Sequence, residues 1–167
     1  MLNGEDALVV ADTSPLLNLA LIDRLELVRE QFSSVVVPEQ VWSELMDGED
    51  GVETLRTAHD EGVIEIVSLE ETPLVAEFRR NLDRGEAAAL AYAIEADADL
   101  VLLDEREARQ TARRHGLSMT GVVGILLREY GDDSELLRTE LDRLREAGFW
   151  ISDELYEMAL ERARSEM

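Results

Sequence analysis

Two short runs without a polar residue constrain this chain more than any other feature. ALVVA spans residues 7–11 and LVLL spans residues 100–103. Each is too short for a buried helix and too apolar for a strand with one wet face. Each therefore reads as a strand buried on both sides within a parallel sheet. Asp12 follows the first run at once, and Asp104 follows the second. The β-branched VVV at 35–37 and the alternating VIEIV at 63–67 add two strands, the latter less buried, and 117–120 supplies a short fifth.

Helical patterns separate these runs. Ser14-Pro15 is read as the start of the first, with Ser14 as N-cap and Pro15 at the first helical position. A second stretch continues over 25–32. Pro38 opens a helix bearing Val41, Trp42 and Leu45, and further helices are expected over 52–61 and 74–82. Gly85-Glu86 leads into the Ala-rich AAALAYAIEADA, whose helix propensity is high. An Arg-rich helix over 105–115 is stopped by Gly116, and another covers 121–130. Alternation of strands and helices predicts an α/β fold of three layers, with a mainly parallel sheet of about five strands and helices on both faces. One domain is expected over residues 1–150, followed by a helical extension, 151–167, packed on the domain or on a partner. Leu136, Leu137, Leu141 and Leu144 form one apolar stripe near the end of the chain. Leu155, Met158, Ala159 and Ala163 form another.

Composition narrows the chemistry. A chain of 167 residues buries about two-thirds of its unfolded surface and folds without staples. With no Cys there is no disulfide, no thiolate metal site and no cysteine nucleophile, and two His do not make a structural zinc centre. No long apolar run and no basic leader stand in the sequence, so a soluble, cytoplasmic protein without a membrane span is expected. Asp and Glu total 38 against 16 basic residues, a net charge of −22, and every basic residue is Arg. At 46% hydrophobic residues the chain is a folded domain with an acidic surface, not a disordered one. Acid excess without Lys or Cys resembles the proteins of salt-in halophilic archaea, whose surface repulsion is screened at molar salt. The absence of Lys also removes the P-loop, receiver-domain and Schiff-base lysines.

With so many acids, position decides which ones matter. Ligands of open α/β sheets bind outside the carboxyl ends of the strands, where Asp12 and Asp104 stand. Each has two readings: a cap on the following helix, or part of a site. Glu44 lies nearly two turns into the helix after Pro38, and alone it reads as an ordinary exposed acid. Glu86 opens the Ala-rich helix, where a carboxylate also suits the helix dipole.

Four stretches resemble the PIN-domain nucleases, in the toxin-like branch of archaeal and bacterial nucleic-acid-binding proteins. They are VVADTSPLLNLA (9–20), VVVPEQVWSEL (35–45), RGEAAALAYAIEADADLVLLDEREAR (84–109) and LSMTGVVGILL (117–127). They occur in the family's order, and the resemblance covers roughly residues 7–150. It implies a metal-dependent ribonuclease that holds Mg²⁺ or Mn²⁺ with Asp12, Glu44, Glu86 and Asp104. Ser14 stands beside Asp12, and Glu105 is a further acid. Many members carry Asp where this chain has Glu86, which leaves Asp83 as an alternative third acid. Two carboxylates about 5 Å apart repel by roughly 3 kcal/mol at an effective dielectric of 20, so a converging set raises its pKa values or binds cations. Such ions retain waters, bind phosphate and activate a hydrolytic nucleophile.

Substrate contact is expected on the helix after Asp104, where Arg106, Arg109 and Arg113 form a stripe. Arg109 and Arg113 are candidates for RNA phosphates, or else partners of Glu105 and Glu107. His115 reads as a helix-end residue. Gly121 and Gly124 are expected to permit close helix–strand packing, and Thr120 is a candidate to line the cleft. Trp42, Phe149 and Trp150 read as core or interface anchors. The resemblance also implies an RNA substrate, a homodimer and an antitoxin protein. Asp12-Thr13-Ser14 lacks the Asp-x-Asp of haloacid-dehalogenase-type phosphotransfer. A non-catalytic module that binds nucleic acid or protein is the remaining alternative.

Overall fold

The computed structural model describes residues 7–165. Residues 1–6, on which the expected lack of a leader rests, and 166–167 of the expected extension lie outside them. The first apolar run forms β1 (Val9–Ala11) and the second forms β4 (Leu100–Leu102), both buried throughout. They are neighbours, with Ala11 opposite Leu102. On the other side of β1 lies β2 (Val35–Pro38), followed by β3 (Ile64–Val67). Beyond β4 lies β5 (Met119–Thr120). The sheet has the order β3-β2-β1-β4-β5 and every pair is parallel. The alternating pattern of β3 does mark a strand with one wetter side, since Glu65 is exposed while Ile64 is buried.

The chain winds outward from β1 through β2 to β3, then returns to place β4 on the opposite side of β1. That reversal is the topological switch point where ligands of such sheets bind. Connections running in opposite directions with right-handed crossovers lie on opposite faces of the sheet. The return connection contains α5 (Pro73–Phe78) and α6 (Arg84–Glu95), and α6 packs on β1, β2 and β4. Its buried Gly85 and Ala87, Ala88, Ala89, Ala91 and Ala93 let the helix axis come close to the sheet. α7 (Arg106–Arg114) packs beside α6. The outward path carries α1 (Thr13–Leu21), α2 (Glu26–Phe32), α3 (Glu39–Met46) and α4 (Val52–Asp60).

α1 begins earlier than the Ser14-Pro15 signal suggested. Asp12 holds the N-cap position with extended backbone, and Pro15 falls within the first turn. Amides of that turn have no intrahelical acceptor, so proline is tolerated there as well as at the first position.

The end of the chain forms α8 (Val122–Tyr130), α9 (Ser134–Glu146) and α10 (Asp153–Ser165), which pack against one another. The inward face of α10 is Tyr156, Ala159, Leu160 and Ala163, spaced i, i+3, i+4, i+7. Leu155 and Met158, which share the expected apolar stripe with Ala159 and Ala163, are exposed, and so is Leu136 of α9. Trp150, read as a core or interface anchor, is 81% exposed. Phe149 does pack against the core, and half-buried Trp42 stacks obliquely on His59. Among the described residues no helix is long and apolar enough to cross a membrane.

Candidate metal centre and cleft

β1 delivers Asp12 to the carboxyl edge of the sheet, where its amide donates to the Leu102 carbonyl at 3.0 Å. The residue is 3% exposed. It occupies the N-cap position of α1, yet its side chain makes no capping hydrogen bond there. Burial pushes its carboxyl up to about 8, the Thr13 amide opposes this, and the charges of Glu86, Asp83 and Glu44 add to it. Among the described residues no ion pair reaches Asp12. The capping reading thus fails for Asp12, and what surrounds it is further acid.

α3 brings in Glu44 from the second crossover. Its carboxylate meets α6 at Gly85, whose missing side chain leaves a cradle. A Cβ there would stand 3.2 Å from Glu44 Oε1, 3.6 Å from Asp12 Oδ1 and 3.6 Å from Thr13 Oγ1. Thr13 Oγ1 is buried and has no hydrogen-bond partner. Three oxygens of two acids and a hydroxyl therefore converge over one glycine.

Glu86 contributes the next acid and has a structural task as well. Asp83 caps α6 by accepting from the Glu86 amide at 2.8 Å, and Glu86 Oε1 accepts from the Asp83 amide at 3.1 Å. This reciprocal box satisfies two amides that the helix leaves open. Glu86 is buried and Asp83 exposed. Burial raises Glu86 to about 7, against the help of the Asp83 amide, with Asp83 and Glu105 adding negative charge. The two candidates for the third acid thus act as a pair, with Glu86 the buried member.

Asp104 stands apart in its bonding. It caps a helix, though not the one that follows it. Its Oδ1 accepts from the Val122 amide at 3.0 Å, at the start of α8, and its Oδ2 accepts from Ser14 Oγ at 3.4 Å. Burial lifts it to about 6, while the Val122 amide, Arg109 and Ser14 hold it down and Glu105 raises it. A Cβ at Gly121 would collide with Asp104 Oδ1 and stand 3.0 Å from the Leu103 carbonyl. Glycine is required at this position so that the carboxylate can reach the helix amide. Helix–strand packing was the expected reason; the carboxylate is the closer neighbour.

Ser14 touches Asp104, and its orientation comes from a residue that sequence reasoning passed over. Buried Asn18, one turn further along α1, donates from Nδ2 to Ser14 Oγ at 3.1 Å and to the Ser14 carbonyl at 2.9 Å. The i, i+4 spacing of Ser14 and Asn18 was the available signal. Thr13 and Gly85 were also missed, and neither carries a mark in the sequence.

Arg109 lies against the site: its Nη1 donates to the Leu103 carbonyl at 2.8 Å, and its charge lowers Asp104. Thr120 shares a groove with Asp104 and Arg109, whereas Arg113 lines a separate hollow with Gln110 and Arg114. None of the ion pairs among the described residues joins Arg106, Arg109 or Arg113 to Glu105 or Glu107. His115 ends α7 and meets the edge of Phe78. Glu105 is exposed and adds charge to both Glu86 and Asp104. Among the described residues no three His, Asp or Glu stand positioned to share one ion as the side chains are placed. The reason is visible in the bonding: Glu86 turns to the Asp83 amide and Asp104 to Val122 and Ser14.

These features define an α/β protein with an acidic cleft at the switch point of a parallel sheet. The DUF3368 PIN-domain family model matches residues 8–165, and the chain belongs to the PIN-domain family, whose members are generally nucleases. The match runs through α9 and α10. Among solved structures the chain is similar to a PilT N-terminus domain protein from the hyperthermophilic archaeon Sulfolobus solfataricus P2. The two are 18% identical over 81% of this chain and 94% of that one, with a TM-score of 0.54, a likeness of fold. Comparison with curated proteins gives no significant match.

Proposed function

We propose that this chain is a metal-dependent ribonuclease that hydrolyses RNA phosphodiesters, using Mg²⁺ or Mn²⁺ held by Asp12 with Glu44, Glu86 and Asp104. The observation that carries this reading is Asp12: a carboxyl 3% exposed, reached by no ion pair among the described residues, whose ionisation three neighbouring acids oppose. With its carboxyl pushed up to about 8, Asp12 is ionised at neutral pH only when a counter-ion stands beside it. The cradle over Gly85 offers oxygens alone, including the partnerless Thr13 hydroxyl, and hard divalent cations select such donors. When bound, the ion polarises a phosphate and lowers the pKa of a coordinated water.

The chain's own groups supply the rest. Glu86, at about 7, lies in the range where a carboxylate exchanges a proton near neutrality. Asp104 is held in one orientation by Val122 and Ser14. Arg109 presents a guanidinium beside it, a group suited to phosphate oxygens. The RNA substrate itself is supported by the family resemblance.

Cleavage of end-labelled RNA with Mn²⁺ in molar KCl tests the reading. Activity is expected with Mn²⁺, is lost in EDTA, and falls in Asp104→Asn with the fold intact by circular dichroism. An Asp104→Asn chain as active as the native one would overturn the assignment. Absence of Mn²⁺ binding in the millimolar range would favour the non-catalytic module instead.

A further inference from the structure

Asn18 is buried on α1, in a row with Pro15 and Ile22 at i, i+3 and i+7. Packing alone would give such a place to an apolar side chain, since an amide taken out of water costs free energy unless it is hydrogen-bonded. Both hydrogen bonds that Asn18 Nδ2 donates go to one residue, Ser14: to its carbonyl at 2.9 Å and to Oγ at 3.1 Å. The carbonyl only accepts, so it fixes which end of the amide faces Ser14.

A serine hydroxyl has one proton to donate and two lone pairs. With an Asn18 N–H on one lone pair, the Ser14 proton points away from the amide, and Asp104 Oδ2 accepts it at 3.4 Å. At that length the bond is weak, so its persistence depends on how the hydroxyl is aimed. Asp104 Oδ1 meanwhile accepts from the Val122 amide at 3.0 Å. The two carboxylate oxygens are thus tied to different helices, α1 and α8, which pack on each other. A carboxylate gripped at one oxygen swings about its last torsion, which has broad minima; gripped at both, it keeps one plane. Released from Asn18, the Ser14 hydroxyl is free to turn to a backbone carbonyl or to water, as helix serines do. Asp104 then loses its second hold.

Resting on the ribonuclease reading, we propose that Asn18 is a positioning residue of the metal centre: it aims the Ser14 hydroxyl at Asp104 and so presents that carboxylate to the ion in one plane. It acts through Ser14 alone. Groups that orient a metal ligand from behind are worth about 10–100-fold in affinity or activity. Asn18 stands one step further back, so the lower end of that range is expected.

Amide hydrogen exchange in the metal-free chain, followed by NMR, reads the hold on Asp104 at Val122. Asn18→Leu removes the donor at nearly constant volume, and Asn18→Ala removes it without adding bulk. In both, exchange at Val122 is expected to quicken roughly tenfold, the worth of about one hydrogen bond, while buried Leu141 of α9 keeps its protection. Mn²⁺ affinity, read by electron paramagnetic resonance, is expected to fall roughly tenfold. At a fixed, subsaturating Mn²⁺ concentration kcat for RNA falls with it and KM is kept. In a Ser14→Ala background the Asn18 substitutions add nothing further, since the residue they act through is gone. Faster Val122 exchange in both variants, with a native chain that neither binds Mn²⁺ nor cleaves RNA, would uphold the hydrogen-bonded path and sink the ribonuclease reading. Native Val122 exchange and Mn²⁺ affinity in both variants, with cleavage intact, would uphold the ribonuclease and overturn the proposal. Losses that add in full to those of Ser14→Ala would assign Asn18 to packing and overturn it too.

Discussion

Glu140 and Asp12 are each 3% exposed, and the chain treats these two buried carboxylates in opposite ways. Glu140 accepts from Arg24 Nε at 2.8 Å and from Arg143 Nη1 at 3.0 Å, tying the turn after α1 to α9. Asp12 has Glu86, Asp83 and Glu44 as its charged neighbours. Taking a carboxylate out of water costs several kcal/mol. For Glu140 two guanidiniums return that cost; for Asp12 the Thr13 amide offsets part of it, and no ion pair among the described residues reaches the carboxyl. A buried acid with its cationic partners in place is architecture, and one without them is held protonated toward neutral pH. This contrast says more than a count of acids, because 38 of them place carboxylates side by side over much of the surface.

Changing the charge in each environment tests the contrast. Asp12→Asn is expected to have the largest effect, lowering Mn²⁺-dependent cleavage on the order of 10²–10³-fold. Above about pH 8, where Asp12 is ionised, the same change should raise the melting temperature of the metal-free chain, since a neutral amide replaces a buried charge. A variant that loses stability instead would place Asp12 with Glu140 as a structural group.

Glu140→Gln should do the reverse. It removes the negative charge and one of the two acceptor oxygens shared by two arginines that are 32% and 36% exposed. The expected loss is about 2–3 kcal/mol, below the roughly 3–5 of a wholly buried pair. It is read as a lower urea midpoint with cleavage per folded molecule unchanged. An unaltered midpoint would show that the ion pair is decorative and the contrast empty.

The effect of pH is smaller at any one step. Asp12, Glu86 and Asp104 stand at about 8, 7 and 6 against ordinary values of 3.8, 4.5 and 3.8. The folded chain thus holds protons that the unfolded chain has released. These groups cost nothing below about pH 4, where both states are protonated, and cost most above about pH 8, where both are ionised. Stability of the metal-free protein is therefore expected to fall as pH rises through that window, by at most about 1.4 kcal/mol per pH unit for each group. Asp12→Asn should flatten the upper part of the slope, and added Mn²⁺ should cancel it. Thermal melts at pH 5 to 8 that match those of Asp12→Asn would refute the strained-charge account.

Much of the frame was legible because its signals are local. A buried parallel strand shows as a short all-apolar run and an amphipathic helix as a 3.6-residue stripe, which is why β1, β4 and the Ala-rich α6 fall where expected. The same locality misplaced the start of α1 at Ser14, since Asp12 and Ser14 are both good caps and only the backbone chooses. It also left the Leu155–Met158 stripe open between core and interface: α10 has two adjacent apolar stripes, and packing on α8 and α9 uses the one through Tyr156 and Leu160. Gly121 was legible as a close approach but not as room for the Asp104 carboxylate, a residue 17 positions earlier.

A parallel α/β sheet, two acids at its carboxyl edge and an acidic exterior all follow from residue type and short-range spacing. Which acid lacks a counter-charge follows from the fold. Ser14 meets Asp104 across 90 positions, and Glu86 charges Asp12 from another crossover. Burial and electrostatic company belong to residues that the fold brings together, and no window along the chain contains both partners.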